Sequence, residues 1–150
     1  MSTQTITTAM AERNRELFRR VVEDGFSQGN LAVIDELIAP HHDEHQAGMG
    51  PGPEGVKSAI AYLHSVFPDF TLIIEDMTTD GDKVWARLKA RGTHQGPHMG
   101  HPPTGRRIEI DVFDICRFED GQMVEHWGVP DRFTLIEQLG LLPVPKADAR

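Results

Sequence analysis

Apolar residues in the first half of the chain recur about every 3.6 residues, the period of an amphipathic helix. Thr7 or Thr8 can cap the first predicted helix, and Asn30 can cap the second. Pro53 suits the first turn of the third helix, and Pro68 ends it. The pattern therefore predicts three helices, over residues 10–28, 31–39 and 53–67.

The second half of the chain is richer in β-branched and aromatic residues, which favour strands. Asp80-Gly81 and Asp120-Gly121 are typical of tight turns, so each is expected to close a hairpin. A loop rich in glycine and proline joins the two hairpins. Four strands are predicted, over residues 70–78, 84–93, 108–118 and 123–129, followed by a short helix over residues 132–139.

Helices followed by an antiparallel meander indicate the α+β class. We expect a single domain over residues 1–150, with flexible ends at about residues 1–7 and 143–150. The N-terminal helices should pack on one face of a curved antiparallel sheet. This arrangement encloses a pocket between the two layers, which is a common place for a ligand site.

The charge balance limits the possible partners. The chain has 23 acidic and 15 basic residues and a formal net charge of −8, so it lacks the basic face that nucleic acid or an anionic membrane requires. The N-terminus lacks the apolar core of a signal peptide, and no stretch is long and apolar enough to span a membrane. The single cysteine, Cys116, fits a core residue in a reducing compartment. We therefore expect a cytoplasmic protein.

The register of the last hairpin decides which side chains share a face of the sheet. With a two-residue turn at Asp120-Gly121, Ile115 would lie opposite His126. With a three-residue loop over positions 119–121, Asp114 would lie opposite His126 instead. We favour the second register, because Gly121 suits the left-handed bulge position that follows a type I turn.

A pair formed by Asp114 and His126 would have a clear chemical use. Directly opposed residues have Cβ atoms about 4.5–5.5 Å apart, so the carboxylate could bind the ring. The carboxylate raises the pKa of the imidazole and burial lowers it, which suits general acid–base catalysis near neutral pH. The alternative is a structural ion pair on the outer face of the sheet.

Two histidine clusters favour structural explanations. The run His-His-Asp-Glu-His at positions 41–45 is expected to be a solvated loop, although His45 could point inward. His94, His98 and His101 lie in the glycine- and proline-rich loop, where no fixed scaffold for a metal ion is evident. We expect His94 to face the cavity and the other two to face water, and we expect no metal in either cluster.

Two further charged residues have alternative roles. Arg87 alternates with Lys89 and Arg91, a pattern typical of a solvated strand face. If one of the three reaches inward to an acidic partner, we expect it to be Arg87. Asp131 follows the last strand and is expected to cap the closing helix, the alternative being a pocket carboxylate.

Eight short segments, spread over nearly the whole chain, occur in a characteristic order. They are GNL (29–31), FPD (67–69), DGDKV (80–84), GTHQG (92–96), GHPPTG (100–105), RFEDG (117–121), VEHW (124–127) and QLG (138–140). No single segment is specific, but the ordered set resembles the SnoaL-like polyketide cyclases, or ester cyclases, of the nuclear-transport-factor-like superfamily.

The resemblance implies a cone-shaped α+β fold, usually a homodimer, that closes a polyketide ring by aldol condensation without a cofactor. A pocket aspartate acts as acid and base in that family, with a histidine and a glutamine on the adjacent strand. His126 matches a histidine of the pattern, whereas Gly128 stands at the position of the aspartate. Asp114 and Val112 stand at the positions of the histidine and the glutamine. The resemblance thus implies a pocket face that runs through these four residues.

Three functions remain open from the sequence. The first is a cyclase or isomerase acting on an apolar carbonyl compound, with His126 as acid and base and Asp114 orienting it. His94 and His45 would then be polar contacts to the small-molecule substrate. The second is an epoxide hydrolase, for which Arg87 and Asp114 would supply the charged groups. The third is a non-catalytic binding protein, which the replacement of the family aspartate would suit.

Overall fold

The computed structural model describes residues 5–143, which form four α-helices, one π-helical segment and five strands. The elements follow one another as α1 (Thr8–Arg20), the π-helical segment (Val21–Ser27), α2 (Leu31–Leu37), β1 (Ile38–Glu44), α3 (Gly52–Val66), β2 (Thr71–Asp80), β3 (Lys83–Thr93), β4 (Arg107–Glu119), β5 (Gln122–Pro130) and α4 (Arg132–Gln138). The strands form one curved, unclosed sheet in the order β1-β5-β4-β3-β2. This arrangement confirms the α+β class.

The helices begin where the capping residues predict. Thr7 Oγ1 accepts a hydrogen bond from the Met10 N–H at 3.1 Å, and Asn30 Oδ1 accepts one from the Ala32 N–H at 3.2 Å. The first helix continues beyond Arg20 as the π-helical segment, a rare and wider form that often occurs at functional sites. The predicted flexible ends lie mostly outside residues 5–143.

The predicted solvated loop at positions 41–45 is wrong, because most of this run forms β1. β1 pairs in parallel with β5, so the sheet is mixed and not wholly antiparallel as predicted. The helix α2 therefore ends at Leu37, because the chain enters the strand at Ile38. The side chains of His42 and Glu44 are buried on the inner side of this strand.

The core lies between the inner face of the sheet and the helices. Alternate residues of β3 and β4 face inward and are buried, including Leu88 and Ile110, and they pack with Phe18, Ile34 and Ile60 from the helices. The outer face of the sheet carries the intervening charged and aromatic residues. Within residues 5–143, no helix is long and apolar enough to cross a membrane.

The register of the last hairpin, between β4 and β5, differs from the predicted one. Asp120 and Gly121 both have positive φ, 48° and 81°, and form a two-residue turn, so the predicted three-residue loop is wrong. The ladder is instead irregular further along, between the pairs Phe118–Met123 and Arg117–Glu125, where β5 holds one extra residue. As a result Cys116 lies opposite His126, and Asp114 lies opposite Gly128.

Candidate active site

A cavity of about 940 Å³ lies between the sheet and the helices. Its walls are mostly apolar and come from α1, the π-helical segment, α3 and the inner face of the sheet. A few polar side chains interrupt this lining at the end near β1. They include His42, Glu44, Gln46, Asp114, His126 and Arg132.

His126 lies between two carboxylates at this end of the cavity. Its Nδ1 atom is 2.7 Å from Glu44 Oε1, and its Nε2 atom is 3.2 Å from Asp114 Oδ1. The exposed fraction of the side chain is 11% for His126, 12% for Asp114 and 1% for Glu44. The structure thus brings together the two residues predicted to pair, and it adds a second carboxylate.

The sheet explains why these three side chains meet. In β4 and β5, Asp114 and His126 lie on the inner face of the sheet as diagonal neighbours. A two-residue turn followed by a regular ladder would place them on opposite faces. The extra residue in β5 shifts the register by one and brings both side chains to the same face. On the other side, β1 is paired with β5 so that Glu44 lies beside His126. Three strands therefore each contribute one ionisable group.

The environment of His126 holds it in the imidazolium form at neutral pH. Burial alone lowers the pKa of an imidazole, but the hydrogen bonds and negative charges of Asp114 and Glu44 outweigh it and raise the pKa of His126 to about 9. Both ring nitrogens are then donors, and each already has a carboxylate acceptor. In contrast, Asp114 Oδ2 has no hydrogen-bond partner among residues 5–143 and is free to accept one.

Comparisons with known proteins decide the family. The family model described as "SnoaL-like polyketide cyclase" matches residues 16–139. This chain belongs to the SnoaL-like polyketide cyclase family. It is 30% identical over 131 residues to the aklanonic acid methyl ester cyclase DnrD of Streptomyces peucetius, with 83% of this chain and 89% of the relative covered.

Two further cyclases, one of them known from a crystal structure, are similar to this chain. Nogalonic acid methyl ester cyclase of Streptomyces nogalater is 29% identical over 121 residues, which cover 77% of this chain and 89% of that protein. The crystal structure of IdmH, a putative polyketide cyclase from Streptomyces antibioticus, matches with a TM-score of 0.76 and 36% identity. That match covers 85% of this chain and 98% of the IdmH chain.

Gly128, expected on the pocket face, is not among the residues that line the cavity, because the Gln46 side chain lies over it. A Cβ atom at Gly128 would overlap Gln46 Oε1 and would lie 2.8 Å from both Asp114 Oδ1 and His126 Cε1. The Gln46 side chain therefore occupies the space that a longer side chain at position 128 would need. The absence of a side chain at Gly128 leaves room for the side chains of Gln46, Asp114 and His126 around this point.

The other predicted pocket residues divide between the two faces of the sheet. Val112 lines the cavity as predicted. Arg87 does not, because it alternates with the buried residues Ala86 and Leu88 and therefore lies on the outer face. His45 also lies outside the cavity lining, where its ring stacks on Trp127 at 4.7 Å and its Nε2 atom is 2.8 Å from Glu125 Oε2.

The histidines of the glycine- and proline-rich loop are also arranged differently from the prediction. His94 is fully buried, but it does not line the cavity, and its Nδ1 atom accepts the Thr104 N–H at 3.2 Å. His98, predicted to face water, lines the cavity with Tyr62, whose hydroxyl is 2.6 Å from His98 Nδ1. His101 is exposed, as predicted.

Two other predictions agree with the structure. Asp131 caps α4, because its carboxylate accepts hydrogen bonds from the Thr134 N–H at 3.0 Å and from the Thr134 hydroxyl at 2.6 Å. Cys116 is a buried core residue, and burial raises the pKa of its thiol, which makes it a poor nucleophile.

Sequence reasoning missed Glu44, His42 and Gln46, which all come from β1 and the residues just after it. Nothing in a polar His-His-Asp-Glu run resembles a half-buried strand by composition. Its one signal was alternation, because His42 and Glu44 are two residues apart and share the inner face, whereas His41 and Asp43 are exposed.

Proposed function

We propose that this protein is a cofactor-independent cyclase that closes a ring in a polyketide-type carbonyl compound by acid–base catalysis. One observation carries the proposal: an imidazolium held between two carboxylates at the polar end of a large apolar cavity. Such a cavity suits an apolar polycyclic ligand, and its few polar groups would fix the ligand's orientation.

In the first step of the reaction, Asp114 acts as the base. Both ring nitrogens of His126 are occupied, whereas Asp114 Oδ2 has no hydrogen-bond partner among residues 5–143 and can accept a proton beside the imidazolium. Asp114 removes the proton from the carbon next to a substrate carbonyl, and an enolate forms. The imidazolium of His126 lies beside this carboxylate, with Nε2 3.2 Å from Oδ1.

In the second step of the reaction, His126 acts as the acid. The enolate carbon attacks a second carbonyl of the same molecule, a carbon–carbon bond forms, and the new alkoxide takes the Nε2 proton of His126. His126 Nε2 is then without a proton, and the protonated Asp114 carboxyl group turns so that the proton on Oδ2 passes to this nitrogen, which restores both residues. Every atom of the substrate remains in the product, so the cycle requires no cofactor, and the product is an isomer.

Glu44 acts as a positioning residue in this proposal. Its Oε1 atom accepts hydrogen bonds from the Gln46 N–H at 2.8 Å and from His126 Nδ1 at 2.7 Å. It therefore fixes the orientation of the ring and stabilises the imidazolium that serves as the acid.

The experiment uses aklanonic acid methyl ester and nogalonic acid methyl ester, the compounds in the names of the two relatives, as trial substrates. The expected result is an isomer of unchanged mass, formed by the wild type and not by Asp114→Asn. Tight binding without any turnover, unaffected by Asp114→Asn and His126→Ala, would instead favour the non-catalytic binding protein.

Epoxide hydrolysis remains as a second candidate, because Asp114 and Glu44 provide a pair of carboxylates. The arginine considered for this reaction, Arg87, lies on the outer face of the sheet and does not line the cavity. The two reactions differ in their product mass, because hydrolysis adds one water. Incubation with a trial epoxide in ¹⁸O-labelled water would favour this candidate if the label entered the product and the trial polyketides stayed unchanged.

We propose that the outer face of the sheet joins two copies of the chain as a homodimer. Trp85, Phe113 and Val129 are 44%, 56% and 70% exposed there, on three adjacent strands. Large apolar side chains in contiguous positions favour association. Sedimentation analysis should find a dimer for the wild type and a monomer for Phe113→Lys, and a monomeric wild type at micromolar concentration would contradict the proposal.

We propose that the protein resides in a reducing compartment such as the cytoplasm. It is supported by the single cysteine, Cys116, which is a free and buried thiol in the core.

A further inference from the structure

Two buried polar atoms in the cavity wall have no hydrogen-bond partner. They are His42 Nε2 and Glu44 Oε2, and they are 3.7 Å apart. Both side chains are almost completely buried, with exposed fractions of 0% and 1%. An unpaired polar group at such a depth is costly, so two of them side by side favour a ligand group that can bind both atoms.

The chemistry of each atom is fixed by its surroundings. His42 Nδ1 accepts the Gly52 N–H at 3.2 Å, and a backbone N–H can only donate, so Nδ1 carries no proton. The ring proton is therefore on Nε2, which faces Glu44. Burial lowers the pKa of His42, which keeps the ring neutral. Oε2 is the unused oxygen of Glu44, since the bonds from His126 and Gln46 both end on Oε1.

We propose that His42 Nε2 and Glu44 Oε2 form a binding subsite for a hydroxyl group of the substrate. The site offers one donor and one carboxylate acceptor, and a hydroxyl can accept from the first while donating to the second. A carbonyl oxygen would face the carboxylate without a proton to donate, and an ammonium group would face the ring N–H. Because the two atoms are only 3.7 Å apart, a hydroxyl oxygen about 2.8 Å from each would lie to one side of the line that joins them, on the side of the cavity.

The subsite is connected to the proposed reaction centre through one carboxylate. Glu44 Oε1 binds His126, while Glu44 Oε2 would hold the substrate hydroxyl. The remainder of the cavity is mostly apolar, so this contact would set which end of the substrate lies beside Asp114. The inference rests on the proposed function, because it takes the cavity as the place where the substrate binds.

Binding of paired probes tests the subsite without requiring catalysis. We expect 1-naphthol to bind the wild type about tenfold more tightly than 1-methoxynaphthalene, because the ether cannot donate to Glu44. The methyl group of the ether also keeps its oxygen away from His42 Nε2, so only 1-naphthol accepts from the ring N–H, and His42→Phe should clearly reduce this preference. His42→Gln, which keeps an N–H donor, should retain most of the preference, and His41→Phe on the exposed side of β1 should change nothing.

A second measurement applies if His42→Phe does not fold. In the wild type labelled with ¹⁵N-histidine, 1-naphthol should shift the His42 Nε2 resonance and 1-methoxynaphthalene should not. A preference that is unchanged in His42→Phe would overturn the subsite, as would an ordered water that 1-naphthol fails to displace. Turnover of the trial polyketides without any hydroxyl preference would leave the cyclase standing and remove only the subsite.

Discussion

At the scale of single residues, the site depends on how His126 is charged. An imidazole between two carboxylates gains more from their charges and hydrogen bonds than it loses by burial, so the pKa of His126 rises to about 9. The sequence indicated one of these carboxylates, Asp114, since both residues lie in the last hairpin. It did not indicate Glu44, which is 82 positions away from His126 along the chain.

The raised pKa of His126 predicts how stability depends on pH. Because the folded protein binds this proton more tightly than the unfolded chain, the stabilisation is complete below about pH 6.5 and is lost as the pH rises through about 9. The expected contribution to the free energy of unfolding is about 3 kcal/mol. Denaturant unfolding at several pH values should show this alkaline loss in the wild type and its absence in His126→Gln. An equal alkaline loss in both proteins would contradict the assignment.

Gly128 gives a second prediction at this scale. Gly128→Asp adds a side chain where the space is taken by Gln46 Oε1. The variant should unfold at a lower temperature and lose turnover, and the added change Gln46→Gly should recover much of the stability. Thermal unfolding of the single and double variants measures this. Equal melting temperatures for wild type and Gly128→Asp would show that Gln46 does not fill the space.

At the scale of elements, local patterns predicted more than long-range pairing. The caps at Thr7 and Asn30 and the turn at Asp120-Gly121 involve neighbours in sequence, and the sequence contains their signals. The pairing of β1 with β5 joins distant residues, and a polar strand gives no apolar pattern to predict it. The irregularity in β5 also has no glycine to mark it, so its position could not be read from the residues.

The strand β1 brings a prediction about the pH dependence of the reaction. Glu44→Gln removes one of the two negative charges beside His126, so the pKa of the imidazole should fall. If His126 is the acid, the alkaline limb of kcat/KM, expected near pH 9 in the wild type, should move to lower pH in the variant. Asp43→Asn, on the exposed side of the same strand, is the matched control and should leave the limb in place. An unmoved limb in Glu44→Gln would remove Glu44 from the site.

At the scale of the whole molecule, the fold class and the presence of a pocket followed from the order of the elements. Helices packed on one face of a curved sheet enclose a cavity between the layers, as expected. The side chains that enter the cavity are set by the register of the strands, which decides the face of each residue, and by the position of β1. For that reason the inward alternatives considered for Arg87 and His45 are wrong, and His98, expected to face water, lines the cavity.

The most direct test of the account is the cyclisation rate of His126→Ala with a trial polyketide that the wild type converts. Loss of the acid and of the positive charge beside Asp114 should lower kcat about 10²–10⁴-fold. His101→Ala, which removes an exposed histidine outside the cavity lining, should keep the wild-type rate. A folded His126→Ala protein whose kcat falls less than about threefold would contradict the claim that His126 and Asp114 transfer the protons.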